Sequence, residues 1–174
     1  MTIRKYENLD STNEEARRLA EAGEAGPLWI VACEQSAGRG RRGREWVSSR
    51  GNLFATLLLR PGRAADVCAQ LSFVAALATG DAVASFAPSA RIALKWPNDV
   101  LLDGHKVAGI LLESAGSAGG CAVEWLAVGI GMNLANYPAG TDMPATSLAA
   151  AQVGALPRSR RWRACTRPAR THLW

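Results

Sequence analysis

Asp103-Gly104, set between the apolar runs Val100-Leu101-Leu102 and Val107-Ala108, constrains this 174-residue chain more than any other pair. Asp-Gly supplies the residues that a tight two-residue turn favours, so the flanking segments read as antiparallel neighbours. Residues 91–95 and 98–102 read as short strands around a Trp96-Pro97 corner, with 105–114 as the returning strand. A lone hairpin is marginal in water, so more sheet is required. It is available at 3–6, at the apolar run 28–33, at 53–59 and, after a turn at Gly116 to Gly120, at 121–130. The near-continuous apolarity of 53–59 implies that both of its faces are covered. Ser11 with Glu14, or Thr12 with Glu15, fits a capping box that opens a helix running to about Ala22. Apolar groups at Val67, Leu71, Val74, Ala75 and Ala78 predict one long helix or two over 64–86. Asp66, Gln70 and Asp81 interrupt that stretch, so it is read as buried helix and not as a membrane span. Residues 135–146 form a Pro- and Gly-rich loop, and Ser147 is placed to cap a helix from about Leu148 to Val153. The expected fold is α+β: a mixed, largely antiparallel sheet with helices packed on one face.

Charge argues against a broad nucleic-acid surface. The chain carries a net +5, but residues 158–174 hold six arginines and no acid, which leaves 14 basic and 15 acidic residues in 1–157. The globular part is therefore balanced, and the basic excess belongs to the tail. Four cysteines (33, 68, 121, 165) form no Cys-x-x-Cys pair and have no histidine at a ligand spacing. They read as reduced thiols in a cytoplasmic protein without a protein-built metal site. No charged-then-apolar leader opens the chain.

Four polar or glycine-rich segments follow strand ends, at 11–13, 35–44, 95–106 and 129–133, and their convergence on one sheet face would make a site. The second contains Gly38-Arg39-Gly40-Arg41-Arg42-Gly43-Arg44. Glycine permits close approach of a ligand to the backbone, and arginine offers a permanent charge and a planar fork of donors. Such a loop fits a solvated basic segment, an Arg/Gly nucleic-acid binder, or a lid that orders around an anion. Only three lysines occur in the chain, and two of them, Lys95 and Lys106, lie in the hairpin segment. With the loop arginines they could surround a ligand carrying a carboxylate and a phosphate. Asp99 is the nearest acid, and an ion pair with one of these lysines is its simplest role. Trp96 reads as corner packing. The P-loop pattern is absent, so any phosphate handling uses another architecture.

In this order, Asp10-Ser-Thr-Asn13, Gln35-x-x-Gly-Arg-Gly-Arg-Arg-Gly-Arg44, Lys95-Trp-Pro-Asn-Asp99, Lys106-x-Ala-Gly-Ile-Leu-x-Glu113 and Gly129-Ile-Gly-x-Asn133 resemble the catalytic domain of biotin protein ligases. The resemblance covers roughly residues 1–155 and implies the fold shared by that domain and class II aminoacyl-tRNA synthetases. It implies two-step chemistry: biotin and ATP give biotinyl-5′-AMP and pyrophosphate, then a lysine of a biotin carboxyl carrier domain takes the biotinyl group and releases AMP. Matching positions assign Ser11, Thr12, Asn13, Gln35, Gly38, Arg39, Lys106, Gly109, Gly129 and Gly131 to biotin. Arg41, Arg44, Trp96, Asn98, Lys106 and Asn133 fall to the nucleotide, with Asn98 and Asn133 near its Mg²⁺. Lys106, Arg41 and Asp99 are the expected catalytic residues, Lys106 between the carboxylate and the α-phosphate and Asp99 orienting or deprotonating the incoming lysine. The Gly/Arg loop is expected to be disordered without ligand and to close over the adenylate.

The sequence departs from the family at both ends. It begins almost at the first catalytic strand, so no N-terminal DNA-binding domain and no operator binding are expected. After residue 156 the pattern stops, and 157–174 reads as a basic irregular tail in place of the family's small C-terminal β-barrel. A genuine extension and a reading-frame shift both fit that tail, and its composition favours the shift. Loss of the barrel would weaken adenylate synthesis and, more so, transfer. The alternatives are therefore a ligase degraded to a biotin- or adenylate-binding module, or a lipoate-type ligase. Expected partners are biotin, ATP and the carrier domain, without nucleic acid or membrane, and some family members form a homodimer through a sheet edge.

Overall fold

In the computed structural model, which describes residues 2–116, 122–141 and 143–151, seven strands form one sheet in the order β1-β2-β3-β7-β6-β5-β4. The predicted hairpin is there: β5 (Asp99–Leu102) and β6 (His105–Gly116) pair with Leu102 opposite His105. Asp103 and Gly104 take positive φ, 49° and 83°, as the tight turn requires. The Asp103 carboxylate also accepts from the Arg91 N–H at 2.9 Å, which fastens the start of β4 (Ile92–Lys95) against β5. β7 (Val123–Met132) runs between β3 (Leu53–Leu59) and β6, antiparallel to both. β1 (Thr2–Leu9) and β2 (Leu28–Gln35) pair in parallel through α1 (Thr12–Glu21), so the sheet is mixed, as expected.

The helices divide between the two faces, which corrects the expectation that they share one. On β7, Trp125 and Ala127 join Ala16 and Ala20 of α1 with Leu28, Ile30 and Leu58. The alternate residues Leu126, Val128 and Met132 join Cys68, Ala76 and Val83 from α2 (Ala65–Ala69) and α3 (Leu71–Phe86), with Val100, Leu102 and Ile110. The physical reason lies in β3 and β7, which are apolar at nearly every position and need cover on both sides. At ten residues α1 is about 15 Å long. It covers only part of its face, and the part beyond its N-terminus is left for a cavity.

The stretch over α2 and α3 is apolar and long enough, by length and composition, to cross a membrane. It packs on the sheet and is only partly buried, because a sheet covers one side of a helix. Cys68, Ala76, Thr79, Gly80 and Val83 face inward, whereas Val67, Phe73, Val74 and Leu77 are exposed. Cys68 is a free buried thiol as expected, but Cys33 is disulfide-bonded, against the expectation of reduced thiols. Ser147 Oγ accepts the Ala150 N–H at 3.1 Å, the start of the predicted cap. The helix beyond 151, the turn at 117–120 and the tail lie outside the described residues.

Leu58 is fully buried at the heart of the α1 side. Its replacement by alanine should lower unfolding free energy by about 2–5 kcal/mol, measurable by urea titration. A loss below about 0.5 kcal/mol would contradict this core assignment.

Candidate functional site

The capping box does not form, and the reason locates the site. Ser11 is the helix N-cap but makes no side-chain cap bond. Glu14 turns to Arg17 and Arg39, and Glu15 to Arg18 and Tyr6. Ser11, Thr12 and Asn13 are all buried and line a cavity of about 730 Å³ on the α1 face of the sheet.

A chain of hydrogen bonds shapes one wall. Gln35, at the end of β2, accepts the Thr12 N–H through Oε1 at 2.7 Å, with the Thr12 hydroxyl 3.1 Å away. The Thr56 hydroxyl lies 2.8 Å from Thr12 Oγ1 and 2.6 Å from Asn13 Oδ1. With one proton, it donates to Asn13 and accepts from Thr12. Asn13 Nδ2 donates to Glu113 Oε2 at 2.8 Å. Gln35 Nε2 donates to Ser48 Oγ at 2.8 Å, and that hydroxyl donates to the Trp46 carbonyl at 2.7 Å. Every amide orientation on this wall is thereby set before a ligand arrives.

The floor is glycine by necessity. Gly109 and Gly131 are opposed across β6 and β7. A Cβ on Gly129 would stand 2.3 Å from Asn13 Oδ1, and one on Gly131 2.5 Å from the Trp46 ring. Trp46 thus folds back onto the cavity floor. Gly38 does not line the cavity. It is glycine because of crowding, since a Cβ there would meet Ser48 Oγ and the Trp46 carbonyl at 2.3 Å.

The Gly/Arg heptad forms a small hairpin at the mouth. Arg39 bridges to Glu45, the Gly40 N–H donates to the Arg44 carbonyl at 2.7 Å, and Arg42 and Gly43 turn at positive φ, 58° and 72°. Arg41, Arg42 and Arg44 line the cavity, with Arg41 3.3 Å from the Asn98 side-chain oxygen. Opposite them, the Lys106 backbone is fixed by the Pro144 carbonyl at 2.8 Å and the Thr146 N–H at 2.9 Å. Lys106 Nζ is 2.7 Å from Asp99 Oδ1, off-line for a hydrogen bond, and 5.3 Å from the centre of the Trp46 ring. Asp99 is therefore the counter-ion of Lys106. Trp96 is 79% exposed at the rim, and Lys95, Asn98 and Asn133 complete the lining. The arrangement is one pocket with a neutral hydrogen-bonding end and a cationic end.

Of the predicted site residues, all but Gly38 line this one cavity. The sequence reading missed Trp46, Arg42 and Phe54 in the lining, and Thr56 and Ser48 behind it. A Trp two residues past the Arg/Gly loop was the available signal for the first. A lone Thr inside an apolar strand was the signal for Thr56.

Asp10 anchors the start of α1. Its carboxylate takes both Arg18 nitrogens at 2.8 Å, and the guanidinium lowers its pKa from the usual 3.8 to about 2. A carboxyl held below its unfolded value stabilises the fold above that value, and the stabilisation is lost as pH falls through the folded one. The stability gap between the protein and Asp10→Asn should be constant from about pH 5 to 7 and close between 3.8 and about 2. Denaturant unfolding across that range checks it, and the half-exposed pair keeps the gap small.

Comparison with known proteins agrees with this geometry. The chain is 62% identical over 130 residues to a biotin–[acetyl-CoA-carboxylase] ligase of Paracoccus denitrificans, covering 74% of this chain and 53% of that protein. It is 39% identical over 158 residues to the ligase of the same name from Mycobacterium tuberculosis, covering 86% of this chain and 56% of that one. The chain thus spans about half the length of the curated relatives it matches. Among solved structures, the biotin protein ligase of Leishmania major in complex with biotinyl-5-AMP superposes with a TM-score of 0.72 at 32% identity, covering 85% of this chain and 63% of that one. The Aquifex aeolicus enzyme in complex with biotin and ATP gives 0.73 at 31%, covering 91% and 64%. The sequence pattern of the Biotin/lipoate A/B protein ligase family matches residues 6–133, and the chain belongs to that family.

Proposed function

We propose that this chain activates biotin with ATP and passes the biotinyl group to a lysine of a biotin carboxyl carrier domain. The observation that carries the proposal is the single cavity whose neutral hydrogen-bonding wall continues directly into a cationic end. The wall of Ser11, Thr12, Asn13 and Gln35 suits a ureido group, which needs donors and acceptors fixed in advance. The cationic end suits a carboxylate meeting a triphosphate, two anions that repel unless positive charge stands between them.

In the first step a biotin carboxylate oxygen bonds to the α-phosphorus of ATP, and the bond to pyrophosphate breaks. Lys106 stands where both anions meet, and Arg41, Arg42 and Arg44 face the departing phosphates. In the second step a lysine amine attacks the acyl carbon, AMP leaves with the bonding pair, and the amine's proton goes to solvent or to Asp99. Because Asp99 is paired with Lys106, an incoming ammonium would share that carboxylate before attack. Among the described residues no group of three His, Cys, Asp or Glu could hold a metal. Mg²⁺ would arrive on the phosphates, where it neutralises charge, and the side-chain oxygens of Asn98, Asp99 and Asn133, which line the same cavity, would be available to hold it. The hairpin lid would keep water from the adenylate.

The acceptor has a natural approach. β5 ends at Asp99 opposite Gly109, while β6 runs on to Gly116. Asn98 caps Ile110 on that side, its carbonyl accepting the Ile110 N–H at 2.9 Å and its Nδ2 donating to the Ile110 carbonyl at 2.8 Å. Beyond it, the overhang of β6 leads straight from the cavity mouth and offers backbone groups to an added strand. A carrier domain docking there would bring its lysine beside Asp99, and a homodimer would form on the same edge.

The family includes lipoate ligases, and the Gly/Arg heptad with Lys95-Trp-Pro-Asn-Asp99 favours biotin. Calorimetric titration with biotin and with lipoate separates the two: biotin alone should bind, and binding of lipoate alone would reverse the assignment. Adenylate formation without transfer to a carrier domain would mark a ligase impaired in its second step. Biotin binding with neither step would mark a binding module.

A further inference from the structure

We propose that Glu113 is a positioning residue that locks the lid to the cavity wall. It is absent from the cavity lining, so any influence on a ligand must pass through its neighbours. One oxygen, Oε2, accepts from Asn13 Nδ2 at 2.8 Å and from an Arg39 nitrogen at 2.9 Å. The other end of the Arg39 guanidinium lies 3.1 Å from Glu14 Oε2. Arg39 thus stands between two carboxylates, one from α1 and one from β6, in the absence of any ligand.

Two consequences follow from the chemistry of that oxygen. A carboxylate only accepts, so Asn13 must point its NH₂ at Glu113, with the Leu111 carbonyl a longer second acceptor at 3.4 Å, and its oxygen at Thr56 and Gly129. The shorter of the two contacts that orient the wall's central amide therefore comes from outside the cavity. The lid is also tied at two flanks by one closed circuit. From Asn13 the hydrogen bonds run through Thr56 to the Thr12 hydroxyl, and from the Thr12 N–H through Gln35 and Ser48 to the Trp46 carbonyl, and the Trp46 N–H donates to the Gly38 carbonyl at 2.9 Å. Arg39, next to Gly38, returns through Glu113 to Asn13. Glutamine at 113 keeps the size but loses the charge and can donate as well as accept. It leaves the Asn13 amide held on that side only by the longer Leu111 contact and weakens the hold on Arg39.

The effect on the lid stands without any ligand, whereas the effect on biotin rests on the function proposed above. Limited trypsin digestion of the ligand-free chain reads the first. Cutting after Arg41, Arg42 and Arg44 should be about tenfold faster in Glu113→Gln, as expected for loss of a charged hydrogen bond. Arg39→Gln should give the same rise confined to the lid, and the double variant should be cut no faster than Arg39→Gln alone. Confinement to these sites separates lid release from general unfolding, which would expose Arg17 and Arg60 as well. The second readout is kinetic: the biotin KM for pyrophosphate exchange should rise about tenfold in Glu113→Gln, with the KM for ATP changed less than about threefold. Equal cutting in Glu113→Gln and the unaltered chain, or additive effects in the double variant, would overturn the lock. A lock seen by trypsin with no response to biotin would instead count against the biotin reading alone.

Discussion

Lys106→Ala should lower biotin-dependent ATP–pyrophosphate exchange by about 10²–10³-fold, the cost of removing a single preorganised donor aimed at developing charge. The side chain is paired with Asp99 and lines the same cavity as the hydrogen-bonding wall and Arg41, Arg42 and Arg44, where carboxylate and α-phosphate would meet. The backbone at 106 is fastened by Pro144 and Thr146 independently of the side chain, so the variant should stay folded. Its loss also leaves the Asp99 carboxylate unneutralised in the cavity, repelling the anions that Lys106 attracted. Exchange measured at saturating biotin and ATP, alongside an unfolding curve, checks both halves. Full exchange in a folded Lys106→Ala protein would remove this residue from the mechanism.

Gly129→Ala should weaken the proposed biotin binding by at least about 100-fold, the size expected when two buried hydrogen bonds are broken together. The added methyl would stand 2.3 Å from Asn13 Oδ1, a distance that no real contact tolerates. Asn13 cannot yield cheaply, because its carboxamide is held by Thr56 at one end and Glu113 at the other. Overpacking of this kind should also cost about 1–3 kcal/mol of stability. Calorimetry gives the affinity and urea titration the stability. Adding Asn13→Gly should recover the stability, because the clash disappears, but not the affinity, because the wall's central amide is gone. Recovery of both would show that Asn13 does not touch biotin.

How much of this was legible in the sequence depends on whether the signal was local. The strand and helix boundaries were, because Asp103-Gly104, Gly51-Asn52 and Pro61-Gly62 punctuate apolar runs whose period is clear. The convergence of residues 11–13, 35–44, 95–106 and 129–133 on one pocket was legible too, since each follows a strand end. The two-faced arrangement was half written in the continuous apolarity of 53–59, but no local pattern says which face a given helix takes. The Ser11 to Glu15 segment misled for a physical reason: a capping box and a binding wall use the same short polar residues. Here Gln35 and Thr56, distant in sequence, outcompeted the helix end for Thr12. Arg39, Glu14 and Glu113 show the same limit, because ion pairs spanning up to 74 residues leave no mark in any window of the chain. Trp46, distant in sequence from both, sits on the floor because Gly109 and Gly131 are paired across β6 and β7, a coincidence of register visible only once the sheet is built.

The central claim is that one preformed cavity brings biotin's carboxylate and ATP together under the lid. Biotin-dependent ATP–pyrophosphate exchange tests it most directly, with trypsin cutting at Arg41 to Arg44 followed in the same samples. The account predicts exchange that requires biotin, together with protection of the lid when both substrates are present. Absence of biotin binding, or exchange that proceeds without biotin while the lid is cut at an unchanged rate, would contradict it.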